Sequence, residues 1–374
     1  MVIGIEASRA NKKEKTGTEW YAYELIRTIA RIDRDDELLL YTNTALQPSL
    51  SALGPNVSER ILRWPPKRLW NQLRLSLEML QHKPDVLFLP AHTIPIVHPQ
   101  ATVTTLHDVG FDRAPELYAR HELAYHRWAV RFALRHAKKI VVPSTFTKSE
   151  ILALYPQARG RDDDLVVIHH GFDGSRYHPE QNLDRQKAVL ERFHLQRPFF
   201  LYVGRLQEKK NVPRLVEAYA LFRQQHPESE VDLVLAGQPD FGFERIQQIL
   251  IHHALGDFVH FPGYVTGDDL PVLMAAARAF VFPSLYEGFG IPVLEAQSSG
   301  TPVVTSSVAS LPEVGGSGAL YVDPTSTEEI AGALGRIAAD EILRADLREN
   351  GFFNLRRFSW ERCANQTIQV LRNS

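Results

Sequence analysis

The most constraining feature of this chain is a rhythm of short, unbroken apolar runs separated by helical patterns. VIGIE (2–6), ELLLYT (37–42), DVLFL (85–89), ATVTTL (101–106), KIVVP (139–143) and LVVIHH (165–170) are continuous rather than alternating. Strands covered on both faces read this way, because both sides of the sheet meet helices. Helical patterns fall between them at about 18–32, 68–82, 117–137 and 145–155, and Thr16 and Glu19 stand at capping-box spacing before the first. The rhythm then repeats, with strands expected at 198–204, 231–237, 258–263, 279–284 and 302–306 and helices near 212–225, 243–255, 268–277 and 291–299. The polar stretch 171–197 carries no strand pattern and reads as a linker with a short helix.

The expected fold is therefore α/β, two doubly wound, Rossmann-like domains of 1–180 and 181–358, facing across a cleft. A length of 374 residues suits two domains. Ligands of such folds bind outside the carboxyl ends of the strands, so function is sought in the loops that leave them. Composition narrows the classes further. Forty-two Lys and Arg against 44 Asp and Glu give no electrostatic footprint for nucleic acid. A lone Cys363 excludes an internal disulfide and a cysteine-based zinc site. No apolar run reaches the length that spans a bilayer, and the amino-terminal charges follow the apolar stretch, the wrong order for a secretion signal. A cytoplasmic location is expected.

Two stretches carry the chemistry. In 204–211, Gly204, Arg205 and Lys210 leave the first strand of the second half and enter a helix whose first turn holds Pro213. Arg offers a planar fork for phosphate oxygens and Lys a point charge. In 284–296, Glu287 precedes Gly288-Phe289-Gly290-Ile291-Pro292, and Glu295 follows inside the helix. The backbone N–H groups of Phe289, Gly290 and Ile291 open that helix and, with its dipole, favour an anion. Glu295 is placed to meet a ribose diol, as acidic residues do in dinucleotide folds.

These stretches resemble the retaining GT-B glycosyltransferases of family 4, of the bacterial mannosyl- and glucosyltransferase type that builds lipopolysaccharide, O-antigen and exopolysaccharide. FVFPSLYEGFGIPVLEAQSSGTPVVTS (280–306) and LPEVGG (311–316) carry the resemblance most specifically. It implies that Arg205 and Lys210 grip a donor diphosphate, that Glu287 contacts the transferred sugar and that Glu295 binds the ribose. It implies that the base rests on backbone near Gly263 and Tyr264. In the first half, the loop holding Thr16, Gly17 and Thr18 resembles the family's glycine loop, and Leu106-His107-Asp108-Val109 its His-Asp segment, which places His107 beside the reacting sugar. KKIVVPSTFTKSEIL (138–152) and VIHHGFD (167–173) resemble segments before the linker. His169 and His170 depart from the usual pattern there, and no role is carried onto them. A last helix from 359, with Ser359 as its cap, is expected to pack back on the first domain, burying Cys363.

The expected reaction moves a hexose, mannose or glucose, from a nucleotide diphosphate sugar to a saccharide or lipid-linked acceptor. GDP-mannose is favoured over UDP-glucose by the first half. No cofactor or metal is expected, because Arg205, Lys210 and the helix terminus near 289–291 already oppose the diphosphate charge. A nucleotide-sugar 2-epimerase on a similar fold is the alternative; it needs no acceptor.

The halves also differ in charge. Residues 1–180 hold 24 basic and 21 acidic side chains, and 181–374 hold 18 and 23. Residues 60–83, RILRWPPKRLWNQLRLSLEMLQHK, carry six basic residues against one acidic, with Trp64 and Trp70. Arg120, Arg127, Arg131 and Arg135 recur at helical spacing. Basic surfaces bearing aromatics suit an anionic membrane, so peripheral contact at the inner face of the plasma membrane is expected.

Overall fold

The apolar runs pair as parallel strands in two separate sheets. The structure, a computed structural model, describes residues 1–64, 69–91, 93–265 and 267–374. In the first sheet lie β1 (Val2–Glu6), β2 (Glu37–Thr42), β3 (Val57–Ile61), β4 (Val86–Leu89), β5 (Thr102–Thr105), β6 (Lys139–Val142) and β7 (Leu165–Val167). Their order is β3-β2-β1-β4-β5-β6-β7, with every pairing parallel. The second sheet holds β8 (Phe199–Val203), β9 (Asp232–Ala236), β10 (Val259–Gly263), β11 (Ala279–Phe282), β12 (Val303–Ser306) and β13 (Ala319–Val322). Its order is β10-β9-β8-β11-β12-β13, again all parallel. In each sheet the winding direction reverses beside the first strand, between β1 and β4 and between β8 and β11. Those reversals are the switch points where such sheets leave a crevice.

Parallel pairing requires crossover helices, and these cover both faces. The strands β4, β5, β8 and β9 are buried along their whole length or nearly so. In the first unit Leu87, Leu89, Ile140 and Val142 share a core with Val130, Ala133 and Leu134 of the Arg120–His136 helix. In the second, Phe200 packs edge-on against Phe222, and Phe280 and Phe282 stack.

The chain packs as two units, one of Met1–Gly171 with Phe358–Ser374 and the other of Phe172–Arg357. Residues 172–180, placed in the first domain by sequence, belong to the second unit. The reason is local: Ser298 Oγ donates to the Tyr177 carbonyl, and Pro179 packs beside Gly300. Phe358 joins the first unit, its ring 5.4 Å from that of His169. The Trp360–Arg372 helix, capped by Ser359 Oγ accepting from the Arg362 amide at 3.0 Å, packs on the Gly17–Ile32 helix. Cys363 is buried there, and burial pushes its thiol up to about 12.

Several elements differ from the sequence expectation. β3 and β13 are edge strands without a strong apolar run. LVVIHH is a strand only as far as Val167. The helix expected at 68–82 is π-helical over Trp70–Leu75 and α-helical over Ser76–Gln81. Lys67 and Arg68, part of the basic stretch, lie outside the described residues.

Candidate functional site

In the second unit two loops flank the switch point, one after β8 and one after β11. The β8 loop leaves at Gly204, with a φ of 152°. It runs so close to the β9 loop that a Cβ on Gly237 would stand 1.7 Å from the Gly204 carbonyl oxygen. Only glycine fits that crossing. Tyr202 Oη donates to the Arg205 carbonyl at 3.0 Å, fixing the loop from below. The loop ends at Asn211, left-handed at φ 61° and buried. Its side-chain amide donates to the carbonyls of Pro283 at 2.9 Å and Pro324 at 2.7 Å, so the end of one loop is bolted to the start of the other. Asn is among the few non-glycine residues that tolerate this backbone region.

That clamp sets Lys210 against Glu287. Lys210 Nζ donates to Glu287 Oε1 at 2.6 Å, with the two side chains 22% and 13% exposed. Arg205 is more open, 61% exposed, and pairs with Asp240 at 3.1 Å. Ser310, fully buried, places its hydroxyl 2.9 Å from the Glu287 carbonyl and 2.7 Å from that of Phe289. Gly290 caps the Ile291–Ser298 helix at φ 113°, and a Cβ there would meet Leu311 at 2.8 Å. Phe289 is buried beneath this turn.

Glu295 lies one turn into that helix. Burial pushes its carboxyl up to about 7, against the opposing influence of Arg176 and of a hydrogen bond from Tyr177, with Asp173 adding to the rise. β10 ends at Gly263, φ 73°, with nothing within 4 Å of where a Cβ would stand, and Tyr264 beyond it is exposed. Among the residues expected to act together, the structure brings Lys210 and Glu287 into direct contact. Arg205, Glu295, Gly263 and Tyr264 stand on the loops or helix that leave the same sheet edge.

In the first unit the β1 loop is folded around Glu19. Its carboxylate accepts from the Thr16 amide at 3.2 Å and from Lys12 Nζ at 2.8 Å, with Arg9 at 3.7 Å. Burial alone would raise its pKa, but Lys12, Thr16 and Arg9 together outweigh it and hold the group at about 2. Gly17 opens the helix that follows, with nothing within 4 Å of where its Cβ would be. His107 follows β5, and its Nε2 lies 2.8 Å from the Pro90 carbonyl, across the loop after β4. A carbonyl only accepts, so Nε2 carries the proton. Burial, partly opposed by that hydrogen bond and by Asp108, lowers the imidazole to about 4. At neutral pH the ring is therefore uncharged, with Nδ1 an acceptor.

Behind His107 sits a cluster to which the sequence reading gave no role. Tyr21 meets its ring edge-on at 4.8 Å, and His170 lies 5.5 Å away. His170 in turn stacks against Trp360 of the last helix, 6.3 Å between centroids. Asn211, Ser310 and Tyr177 were also missed. Each takes part in a buried hydrogen bond at a backbone carbonyl, which leaves no periodic signal.

Two family models match the chain: Glycosyltransferase Family 4 over residues 15–176 and Glycosyl transferases group 1 over residues 185–352. The O-antigen chain mannosyltransferase B of Escherichia coli is 30% identical, with 98% of each chain covered. Among solved structures, sucrose-phosphate synthase from Thermosynechococcus elongatus superposes with a TM-score of 0.78 at 22% identity, covering 100% of this chain and 98% of that one. Anabaena Alr3699/HepE, solved with UDP and glucose, gives 0.77 at 23% identity, with 100% of both chains covered. The structures establish the GT-B fold, and the sequence matches establish the activity class. The chain belongs to glycosyltransferase family 4 and is a glycosyltransferase.

Proposed function

We propose that this glycosyltransferase moves mannose from GDP-mannose to a saccharide or lipid-linked acceptor in cell-surface polysaccharide synthesis, retaining the anomeric configuration. The Lys210–Glu287 pair at the switch point carries the reading, because it sets a cation for the leaving diphosphate beside a carboxylate for the sugar. The mannosyltransferase relative supports mannose. Glucose from UDP-glucose is the second reading, favoured by the likeness to a protein solved with UDP and glucose.

In the reaction the acceptor oxygen bonds to the anomeric carbon while the carbon–oxygen bond to the diphosphate breaks. The acceptor proton passes to the departing phosphate oxygen. Arg205, Lys210 and the helix terminus at Phe289, Gly290 and Ile291 oppose the charge that develops there. Those groups supply positive charge at the leaving diphosphate, so we propose that transfer needs no divalent ion. Glu287 accepts from sugar hydroxyls and stabilises the electron-poor carbon. His107, protonated on Nε2, offers Nδ1 to a further hydroxyl. Glu295 receives the ribose, and Gly263 and Tyr264 receive the base.

Peripheral membrane contact belongs to the same proposal. Among the described residues, Leu69, Leu73, Leu77 and Leu80 are all exposed on successive turns, and Ile96, Tyr125 and Trp128 are exposed as well. Gln72 Nε2 donates to Tyr125 Oη at 2.9 Å, joining the two helical stretches. Trp128 stacks on Phe132, and Phe132 on His136. Arg120, Arg131 and Arg135 are exposed beside them, whereas Arg60 and Arg74 are held by the buried Glu78 and Arg127 by Asp112. Apolar surface rimmed by Arg suits an anionic bilayer at the cytoplasmic side. Among the described residues no helix is long and apolar enough to cross a membrane.

A thermal-shift comparison of GDP-mannose, UDP-glucose and ADP-glucose tests the donor, since a bound ligand raises apparent stability by mass action. Stabilisation by GDP-mannose alone is expected. Stabilisation by UDP-glucose alone transfers the proposal to glucose, and none by any nucleotide sugar overturns it.

A further inference from the structure

The chain enters the second unit through a tight turn and a short helix, and three arginines of this entry segment reach one place. Asp173 holds the turn, its Oδ1 accepting from the Ser175 hydroxyl at 2.6 Å and the Arg176 amide at 3.2 Å. Arg176 Nη2 donates to the Gly267 carbonyl at 2.6 Å. Asn182 caps the Leu183–Arg192 helix, its Oδ1 accepting from the Arg185 amide at 3.0 Å. Arg185 Nη2 donates to the Asp268 carbonyl, also at 3.0 Å, while Glu180 braces the same guanidinium at 3.2 Å. Two turns further on, Arg192 pairs with Asp269. Gly267, Asp268 and Asp269 are consecutive, and they lead from Gly263 and Tyr264 into the Asp269–Ala276 helix. A cavity of about 440 Å³ opens between the entry segment and this second turn, lined by all three arginines with Asp268, Asp269 and Pro271. Across that opening the second turn is fixed by hydrogen bonds and not by close packing.

We infer that Arg176 and Arg185 are positioning residues for the donor base. By holding the carbonyls of Gly267 and Asp268 they fix the turn that continues from Gly263 and Tyr264, and so set how sharply the protein distinguishes guanine from uracil. This rests on Gly263 and Tyr264 receiving the base, as in the proposed function. Backbone tells two bases apart only by where its N–H and C=O groups stand, because a hydrogen bond weakens steeply beyond about 3.2 Å or below about 120°. A turn free to shift loses that register and meets either base about equally. The arginine bonds are of the stronger kind, with an ionised donor. The guanidinium fork also lets Arg185 hold the turn with one nitrogen and Glu180 with the other. The diphosphate is gripped elsewhere, since Arg205 and Lys210 stand on the loop after β8. Ser298, one turn beyond Glu295, donates to the Tyr177 carbonyl, so the same entry segment also registers the helix expected to meet the ribose.

Calorimetric titration of the full chain with GDP, with UDP and with inorganic pyrophosphate tests this, since pyrophosphate carries the charge without a base. The wild type should prefer one nucleotide, GDP on the proposed reading. In Arg176→Ala and in Arg185→Ala, affinity for the preferred nucleotide should fall about tenfold and the preference should shrink by a similar factor, with pyrophosphate affinity unchanged. KM for the matching nucleotide sugar should rise about as much while kcat at saturating donor stays near that of the wild type, because the reacting end of the donor is untouched. Arg176→Lys keeps an ionised donor for the one carbonyl and should recover most of the preference. Arg176→Gln does not and should lack it, so this pair reads the bond even where an Ala variant fails to fold. A preference that survives in the Ala and Gln variants, or losses equal for GDP, UDP and pyrophosphate, overturns the inference and leaves the base site in place. Wild-type protein that binds GDP and UDP equally has no base selection to set, which also overturns the inference. If it binds them no more tightly than pyrophosphate, the base site of the proposed function falls as well.

Discussion

Replacing Glu287 by Gln separates the two duties proposed for the switch point. In the ligand-free protein the Lys210 ammonium is held by Glu287 at 2.6 Å. With side-chain exposures of 22% and 13%, the pair is screened far less than a surface ion pair. Its gross attraction at 2.6 Å and an effective dielectric of about 20 is about 6 kcal/mol, most of it offset by lost hydration. A charge-assisted hydrogen bond retains a net of about 1.5 to 3 kcal/mol. Gln keeps an oxygen that accepts from Lys210 but removes the negative charge that competes with a diphosphate. Free nucleoside diphosphate should therefore bind about tenfold more tightly, a gain of about 1.4 kcal/mol. Turnover should fall by orders of magnitude, because the group that meets the electron-poor sugar carbon has lost its charge. Calorimetry with GDP and UDP, run beside a product assay, reads both. Weaker nucleotide binding in Glu287→Gln, or near-normal transfer, would refute the reasoning.

Arg205→Ala and Lys210→Ala should both weaken nucleotide binding in calorimetry, about tenfold for Arg205 and nearer a hundredfold for Lys210. The difference follows from exposure, 61% against 22%, and equal losses would contradict it. Gly237→Ala should destabilise the fold by more than about 2 kcal/mol, because its Cβ would lie 1.7 Å from the Gly204 oxygen; an unchanged melting temperature would count against the crossing. Glu19 is held at about 2 by Lys12, Thr16 and Arg9 against the effect of burial. Its contribution is full above the unfolded value of about 4.3 and is lost as pH falls towards 2. Glu19→Gln should thus lower the melting temperature at neutral pH but change little near pH 2. Vesicles containing anionic phosphatidylglycerol should co-sediment the protein in a salt-sensitive way, and Leu73→Glu with Leu77→Glu should reduce this; equal binding to neutral and anionic vesicles would dismiss the membrane surface.

The sheet architecture was legible because parallel strands announce themselves as unbroken apolar runs. DVLFL and VDLVLAG needed no further context. The edges were not, since VSERI of β3 faces solvent on most positions and ALYV of β13 is too short to stand out. In the donor half, Gly204, Lys210, Glu287 and Gly290 were visible as residues following strands and opening helices. Their coupling was not. The sequence assigned Lys210 to the diphosphate and Glu287 to the sugar as separate parts, whereas the structure pairs them directly. Asn211 could have been suspected as a residue tolerant of left-handed backbone just before Val212-Pro213. Nothing local marks Tyr177, whose partner lies on a helix far along the chain. The stretch at 60–83 read as a basic surface bearing aromatics, yet Arg60 and Arg74 converge on buried Glu78, and the exposed Leu ladder emerges only once the helix faces are known.

The central claim is that this chain transfers a hexose from a nucleotide sugar with retention. It is tested most directly by proton NMR of the protein with GDP-mannose or UDP-glucose, alone and with mannose- or glucose-terminated glycosides as acceptors. The account predicts a new anomeric resonance with the configuration of the donor linkage, appearing with equimolar nucleoside diphosphate, requiring acceptor and absent from Glu287→Gln. Interconversion of donor sugars without acceptor, or a product of inverted configuration, would contradict it.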